Sequence, residues 1–183
     1  MTDLPKVTLK TVEVVEPDPQ WRATFVEEAI WLAETFGSNF VTAHHIGSTS
    51  IPNIKAKPLI DILLVVCQIK KVDDLNHAME ARGYVAYGEF GLAGRRYFPR
   101  TINGRRSHNV HTYQFDNPEI TRHLAFRDYM IAHPEAAQAY SDLKADLADR
   151  FRNDFQAYMD GKDGFIKVYE AEALEWYGVK RKA

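Results

Sequence analysis

The chain of 183 residues contains a single cysteine, Cys67, which excludes an internal disulfide and any cysteine-rich zinc site and fits a reducing compartment. It also has no long apolar run. Ile62 to Cys67 is far too short to span a bilayer, and the opening MTDLPKVTLK lacks an apolar signal core. A cytoplasmic protein that does not enter a membrane is expected. Neither sign of charge predominates, with 23 Lys+Arg against 25 Asp+Glu, so the bulk charge gives no nucleic-acid signal and any binding preference has to be local. Repeats, low-complexity tracts and linkers are absent, and so is a G-x-x-x-x-G-K-[ST] phosphate loop, which argues against a P-loop kinase. What remains is a chain with 45% hydrophobic and 12% aromatic residues, enough to enclose one sizeable core, and residues 1–183 are read as one domain.

Elements follow from periodicity and punctuation. Val12 to Val15 reads as a short strand, and Asp18-Pro19 then opens a helix in which Trp21, Phe25, Ala29, Leu32 and Phe36 form the apolar stripe. Glu27, Glu28 and Glu34 fall toward solvent in this reading, and Gly37 ends the helix. Val41 to Ile46 and the nearly continuous apolar Leu59 to Val66 read as strands, followed by a helix over Val72 to Arg82 and a short strand from Tyr84 to Tyr87. Arg95 to Thr101 and Ser107 to Phe115 flank Asn103-Gly104 and predict a hairpin. Asn117-Pro118-Glu119 caps another helix. His133-Pro134 breaks it ahead of a long helix from about Glu135 to Met159. A last amphipathic helix carries Phe165, Val168, Tyr169, Ala173, Leu174 and Trp176, closed by Gly178 and followed by the basic Lys180, Arg181 and Lys182. The expected architecture is an α/β (α+β) domain, with a mixed five-stranded sheet, flanking helices and a carboxy-terminal helical layer forming the far wall of a cleft.

One stretch hints at chemistry. Strand Val41 to Ile46 runs into Gly47-Ser48-Thr49-Ser50, where glycine permits a tight turn and three hydroxyls crowd beside backbone amides, a nest suited to phosphate oxygens. Twelve positions separate Ser48 from Asp61, room to loop back and present Asp61 to the turn from a neighbouring strand. A charge in such an apolar strand costs several kcal/mol, roughly, unless it is paired or ligates a cation. In Ser107 to Phe115, Asn109 and His111 share a strand face, so His111 is the candidate to join Asp61 as metal ligand or general base, the alternative being a half-buried sheet residue bonded to a neighbour. His108, on the other face, is expected at the surface. Five arginines and no acid lie between Gly91 and Thr112. Lys57, Arg96 and Arg100 are preferred over the turn arginines as anion binders, against the alternative of an edge hairpin protected by charge.

The glycine-serine turn, the gap and the aspartate strand resemble the nucleotidyltransferase signature, with one departure: a second carboxylate belongs at position 63, and this chain has Leu63. More closely, HHIGSTSIPNIKAKPLIDILLVV, HLAFRDYMIAHPEAAQAYSDLKADLA and KDGFIKVYEAEALEW, in that order, resemble the GrpB family, whose fold is nucleotidyltransferase-like. The resemblance implies a pocket in which His45, Gly47, Ser48, Thr49 and Ser50 surround a nucleotide, with Lys144 and Lys162 as helical cations on its phosphates. Asp61 and His111 would then hold Mg2+ or Mn2+ and carry catalysis. Asn53 stands where family members commonly have glycine, so a differently shaped loop is expected. The activity implied is metal-dependent transfer of a nucleoside monophosphate from a nucleoside triphosphate to an unknown small acceptor. The alternative is a noncatalytic nucleotide- or anion-binding module with a degenerate site, for which Leu63 is the argument. Arg127-Asp128 is read as a structural pair, and Tyr140, Phe151, Phe155 and Tyr158 as core packing.

Overall fold

A computed structural model describes residues 11–180; the first ten residues and residues 181–183, which include the basic Arg181 and Lys182, lie outside it. Helix α1 (Gln20–Phe36) leads through a short 3-10 turn into β1 (Phe40–Ile46), and the glycine turn then leads to β2 (Ile60–Val66). A 3-10 segment over Ile69–Leu75 and α2 (Asn76–Ala81) precede the hairpin β3 (Arg95–Ile102) and β4 (Arg105–Gln114). Three helices finish the fold: α3 (Pro118–Ala132), α4 (Pro134–Arg150) and α5 (Phe155–Lys180).

The sheet is mixed, in the order β1-β2-β4-β3, with β2 and β4 parallel and the outer pairs antiparallel. It has four strands among the described residues, not the five expected. Val15 makes only an isolated bridge to Ala56; Tyr84 bridges Arg100, and the residues after it follow β3 through single bonds, Val85 to the Pro99 carbonyl and Tyr87 to the Tyr97 carbonyl, without forming a regular strand. The hairpin turn is as anticipated: Asn103 and Gly104 both take positive φ, at 51° and 75°, as a two-residue turn between twisted strands requires.

Side chains on successive residues of β2 alternate between two layers. Ile60, Ile62, Leu64 and Val66 pack with Trp21, Leu32 and Phe36 of α1, whereas Leu63 and Val65 pack with Ile46 and Tyr113 beneath Ile120 and Leu124 of α3. Asp61 therefore faces the layer of α3, α4 and α5.

Helix boundaries follow local caps. Asn117 accepts the Glu119 amide at 2.9 Å, with Pro118 at the first helical position, and His133-Pro134 separates α3 from α4. The single helix expected from Glu135 to Met159 is two helices. Its apolar periodicity persists across a break at 151–154, where Asp154 accepts the amide of Ala157 at 3.0 Å and caps α5. Gly178 does not end α5, which continues to Lys180.

Two further expectations are corrected. Glu28 is not on the solvent side of α1 but 3% exposed, meeting Arg82 and Arg100 from the segment after α2 and from β3. His108 is 5% exposed, because its strand face is the one covered by α1, and its ring meets the edge of Tyr84. Asn53 takes φ 61°, a left-handed conformation that asparagine tolerates better than most residues.

Candidate functional site

The site grows from the parallel pairing of β2 with β4, which sets Asp61 opposite Asn109 and Leu63 opposite His111 on one face. Asn109 donates its amide to Asp61 Oδ1 at 2.8 Å, and His111 Nε2 stands 3.9 Å from the same oxygen. The amide oxygen of Asn109 in turn accepts from Tyr97 at 2.8 Å and from Arg106 at 3.1 Å. Asp61 and His111 keep 22% and 17% of their side-chain surface exposed, so neither is sealed from solvent. Burial by itself would raise the Asp61 carboxyl. The adjacent His111 imidazole and the Asn109 amide outweigh it, holding Asp61 below the ordinary carboxylate range and ionised at neutral pH.

The glycine of the turn is required by this carboxylate. Gly47 has φ 70°, and a Cβ built on it would fall 2.4 Å from Asp61 Oδ2. Beyond the turn, the Ser48 side chain lies near the Tyr140 hydroxyl of α4. Lys57 lies with its ammonium 4.6 Å from the Phe155 ring, and Lys162 lies 5.3 Å from the Tyr158 ring. Lys144, 2% exposed, donates to the Lys55 carbonyl and sits 4.5 Å from the Tyr140 ring. None of these three lysines has a salt bridge among the described residues. Burial, with added repulsion from Lys162, lowers Lys57 to about 8 and Lys144 to about 7; burial also lowers Lys162, against the pull of Asp61. His123 of α3 lies tilted beside His111 at 5.6 Å between ring centroids, and burial keeps it neutral with a pKa of about 3.

Lys144 bears on stability through linkage. Its folded pKa of about 7 lies below the ordinary 10.5, so the cost of burying the charge is fully present below pH 7 and is relieved as pH rises from 7 toward 10.5. The melting temperature of the wild type is therefore expected to gain on that of Lys144→Met between pH 7 and pH 9, as thermal scans of both proteins would record.

Strand parity sorts the expected site residues. Gly47, Ser48, Lys57, Lys144, Lys162, Asp61 and His111 gather on the α4–α5 side. His45 does not, since it pairs with Ile62 on the α1 face and stacks on Phe25 at 4.9 Å. Thr49 is buried, donating to the Leu59 carbonyl and bonded to His45 Nε2, each at 2.9 Å, and Ser50 donates to the Gly47 carbonyl at 2.6 Å. These two hydroxyls fasten the turn and are not presented to a ligand beside Asp61.

Arg96 and Arg100 share the face of Phe98, opposite Asp61, and are held by Asp73 at 2.5 Å and Glu28 at 3.3 Å. The arginine that reaches the site is Arg106. Between the Arg100↔His108 and Thr101↔Arg106 pairs, Ser107 is left over as a bulge, which turns Arg106 onto the face of Asn109. Strict alternation hides this. Tyr97, Asn109 and Arg106 are thus the polar residues that sequence reasoning passed over as site members, and only Asn109 carried a signal, its shared parity with His111.

A family model described as GrpB protein matches residues 11–172. The chain belongs to the GrpB family. The crystal structure of the conserved protein GrpB from Enterococcus faecalis is similar with a TM-score of 0.87 and 48% identity, covering 90% of this chain and 99% of that one. Among curated relatives, UPF0157 protein YqkA of Bacillus subtilis is 45% identical over 167 residues, which are 91% of this chain but 48% of YqkA, so the chain spans about half the length of that relative. Glutamate-rich protein GrpB of Alkalihalophilus pseudofirmus is 30% identical over 159 residues, 85% of this chain and 91% of that protein. Among the described residues no helix is long and apolar enough to cross a membrane.

In this GrpB chain the donor set limits what metal it can hold. Asp61 and His111 are close enough to share one divalent ion, with the remaining positions left to ligand phosphates and water, as Mg2+ commonly takes. A two-ion clamp does not fit. Leu63 is fully buried where another carboxylate would be needed, and the described residues include no group of three or more His, Cys, Asp or Glu side chains able to hold a metal.

Proposed function

We propose that the cleft between the β2–β4 face and helices α4–α5 binds the phosphate groups of a nucleotide, acting as an anion-binding module. The observation that carries this reading is the meeting of two desolvated lysines without salt bridges, Lys57 and Lys162, backed by buried Lys144, with one carboxylate, Asp61, beside them among the described residues. Desolvated ammonium groups that repel one another are stabilised by an entering anion, and Arg106 adds a guanidinium able to donate to phosphate oxygens.

The reading makes a calorimetric prediction. Lys57 has a pKa of about 8 in the free protein, and a bound phosphate raises it, so binding at pH 8 takes up protons. Titrations of adenosine triphosphate or pyrophosphate in buffers of different ionisation enthalpy measure that uptake directly. Lys57→Ala and Lys162→Ala are each expected to weaken binding about tenfold or more, while Arg96→Ala leaves it unchanged. Failure of nucleoside triphosphates and pyrophosphate alike to bind would sink the reading.

A second reading is favoured by the 3.9 Å separation of Asp61 and His111. Here the two residues hold one Mg2+ or Mn2+ ion, which supplies charge neutralisation at the phosphate, and the protein transfers a nucleoside monophosphate to a small acceptor. Asp61 keeps its ionised oxygens toward the cation, Asn109 fixes the carboxylate, and the lysines orient the triphosphate. Pyrophosphate release that requires a divalent metal and is abolished by Asp61→Asn would select this reading. Metal-independent binding that persists in Asp61→Asn selects the noncatalytic one.

A further inference from the structure

A second opening lies away from Asp61, around the outer edge of β1, and its chemistry differs from that of the lysine-lined cleft. It holds about 700 Å³, within the usual span of small-molecule pockets, roughly 300–1,000 Å³. Buried Trp21, Thr49 and Ile51 line its depths, Phe25 and His45 form a half-buried wall, and the exposed residues Asp18, Arg22 and Val26 line its mouth.

Its charges are balanced and partly spoken for. Arg127 donates to Asp128 at 2.8 Å and to the His45 carbonyl at 3.1 Å, which occupies that pair within the protein. Asp18 and Arg22 have no ion-pair partner among the described residues. One Asp18 oxygen accepts the Gln20 amide at 2.8 Å, which leaves the other for a ligand. The two flank the start of α1, Asp18 two residues ahead of it and Arg22 within its first turn, and both line the mouth of the pocket. A carboxylate and a guanidinium so placed can bracket a cation and an anion carried on neighbouring atoms of one small molecule.

We propose that this pocket binds an α-amino acid with an apolar side chain. Asp18 takes the ammonium, Arg22 takes the carboxylate, and the side chain enters between Phe25, Val26 and Ile51. A phosphorylated ligand is disfavoured here because Asp18 and Asp128 would oppose its charge, whereas a zwitterion meets both signs. The inference does not rest on the phosphate-binding cleft, whose lysines lie on the other side of the turn.

The test is titration calorimetry on the full chain with leucine and phenylalanine, each beside its analogue lacking the amine and its analogue lacking the carboxylate. The amino acid is expected to bind about tenfold or more tightly than either analogue. Asp18→Asn keeps the amide bond to Gln20 and, like Arg22→Gln, should weaken binding by about the same factor. Val26→Trp should block the pocket. All three positions are exposed, and melting curves verify that the variants fold. Lys162→Ala, which disables the phosphate cleft, should leave amino-acid binding unchanged, so the two sites fail independently. The proposal is overturned if neither amino acid binds, if an analogue binds as tightly as its parent, or if the Asp18 and Arg22 variants bind like wild type.

Discussion

Glu28→Ala is expected to destabilise the protein by about 3–5 kcal/mol, the usual cost of removing one partner from a buried ion pair. The carboxylate of Glu28 is 3% exposed and receives Arg82 at 3.1 Å, Arg100 at 3.3 Å and the Tyr84 hydroxyl at 2.9 Å. Its removal leaves two guanidinium groups facing each other and a buried phenol with no acceptor. Burial, the largest cause holding the Tyr84 hydroxyl above its ordinary pKa, persists in the variant and opposes relief of the cluster by ionisation of the phenol. For a domain of this size the loss corresponds to a fall in melting temperature of roughly 10 °C. Glu27, one residue earlier, is the control: its side chain is 79% exposed and 3.7 Å from Arg82, and Glu27→Ala should change stability by less than about 0.5 kcal/mol. Urea denaturation of both variants separates them, and equal midpoints would show that the buried cluster contributes nothing beyond a surface pair.

The second large effect is expected at Gly47. Alanine there has to adopt φ 70° and bring its methyl within 2.4 Å of Asp61 Oδ2 and 3.0 Å of the Asp61 Cβ. Left-handed strain of about 1–2 kcal/mol adds to an overpacking cost of similar size, for a total of roughly 2–4 kcal/mol. The displaced carboxylate also loses its bond to Asn109, so nucleotide binding should weaken along with stability. A double-mutant cycle isolates the contact. In an Asp61→Ala background the oxygen is gone, and Gly47→Ala should cost only the backbone strain and the residual Cβ approach. If the alanine costs as much in both backgrounds, the close approach is not what the glycine serves.

These two residues also mark where the sequence was and was not readable. The strand with Asp61, the glycine turn, the Asn103-Gly104 hairpin and the Asn117 cap all rest on local chemistry, and each stands in the structure. A helical wheel places Glu28 toward solvent because it registers its own stripe but not the arginines that the segment after α2 and strand β3 bring from more than fifty residues away. The site behaved likewise. Parity unites Asn109 with His111, but no local pattern reveals which face of β3 Asp61 shares; that face carries Tyr97, and Arg96 and Arg100 lie on the alternate one. The bulge at Ser107 then reverses parity within β4 and brings Arg106 in, a change visible only once strand register is known.

The sheet is two antiparallel pairs, β1–β2 and β3–β4, joined along a single parallel line of hydrogen bonds between β2 and β4. Asp61 belongs to one half, and Asn109, His111, Tyr97 and Arg106 belong to the other. The constellation therefore comes into being when the halves zip together, a step whose long loop closure makes it slow relative to either pair forming alone. A ligand bridging that line clasps the halves to each other, so amides of β2 and β4 should exchange with deuterium more slowly when it is bound.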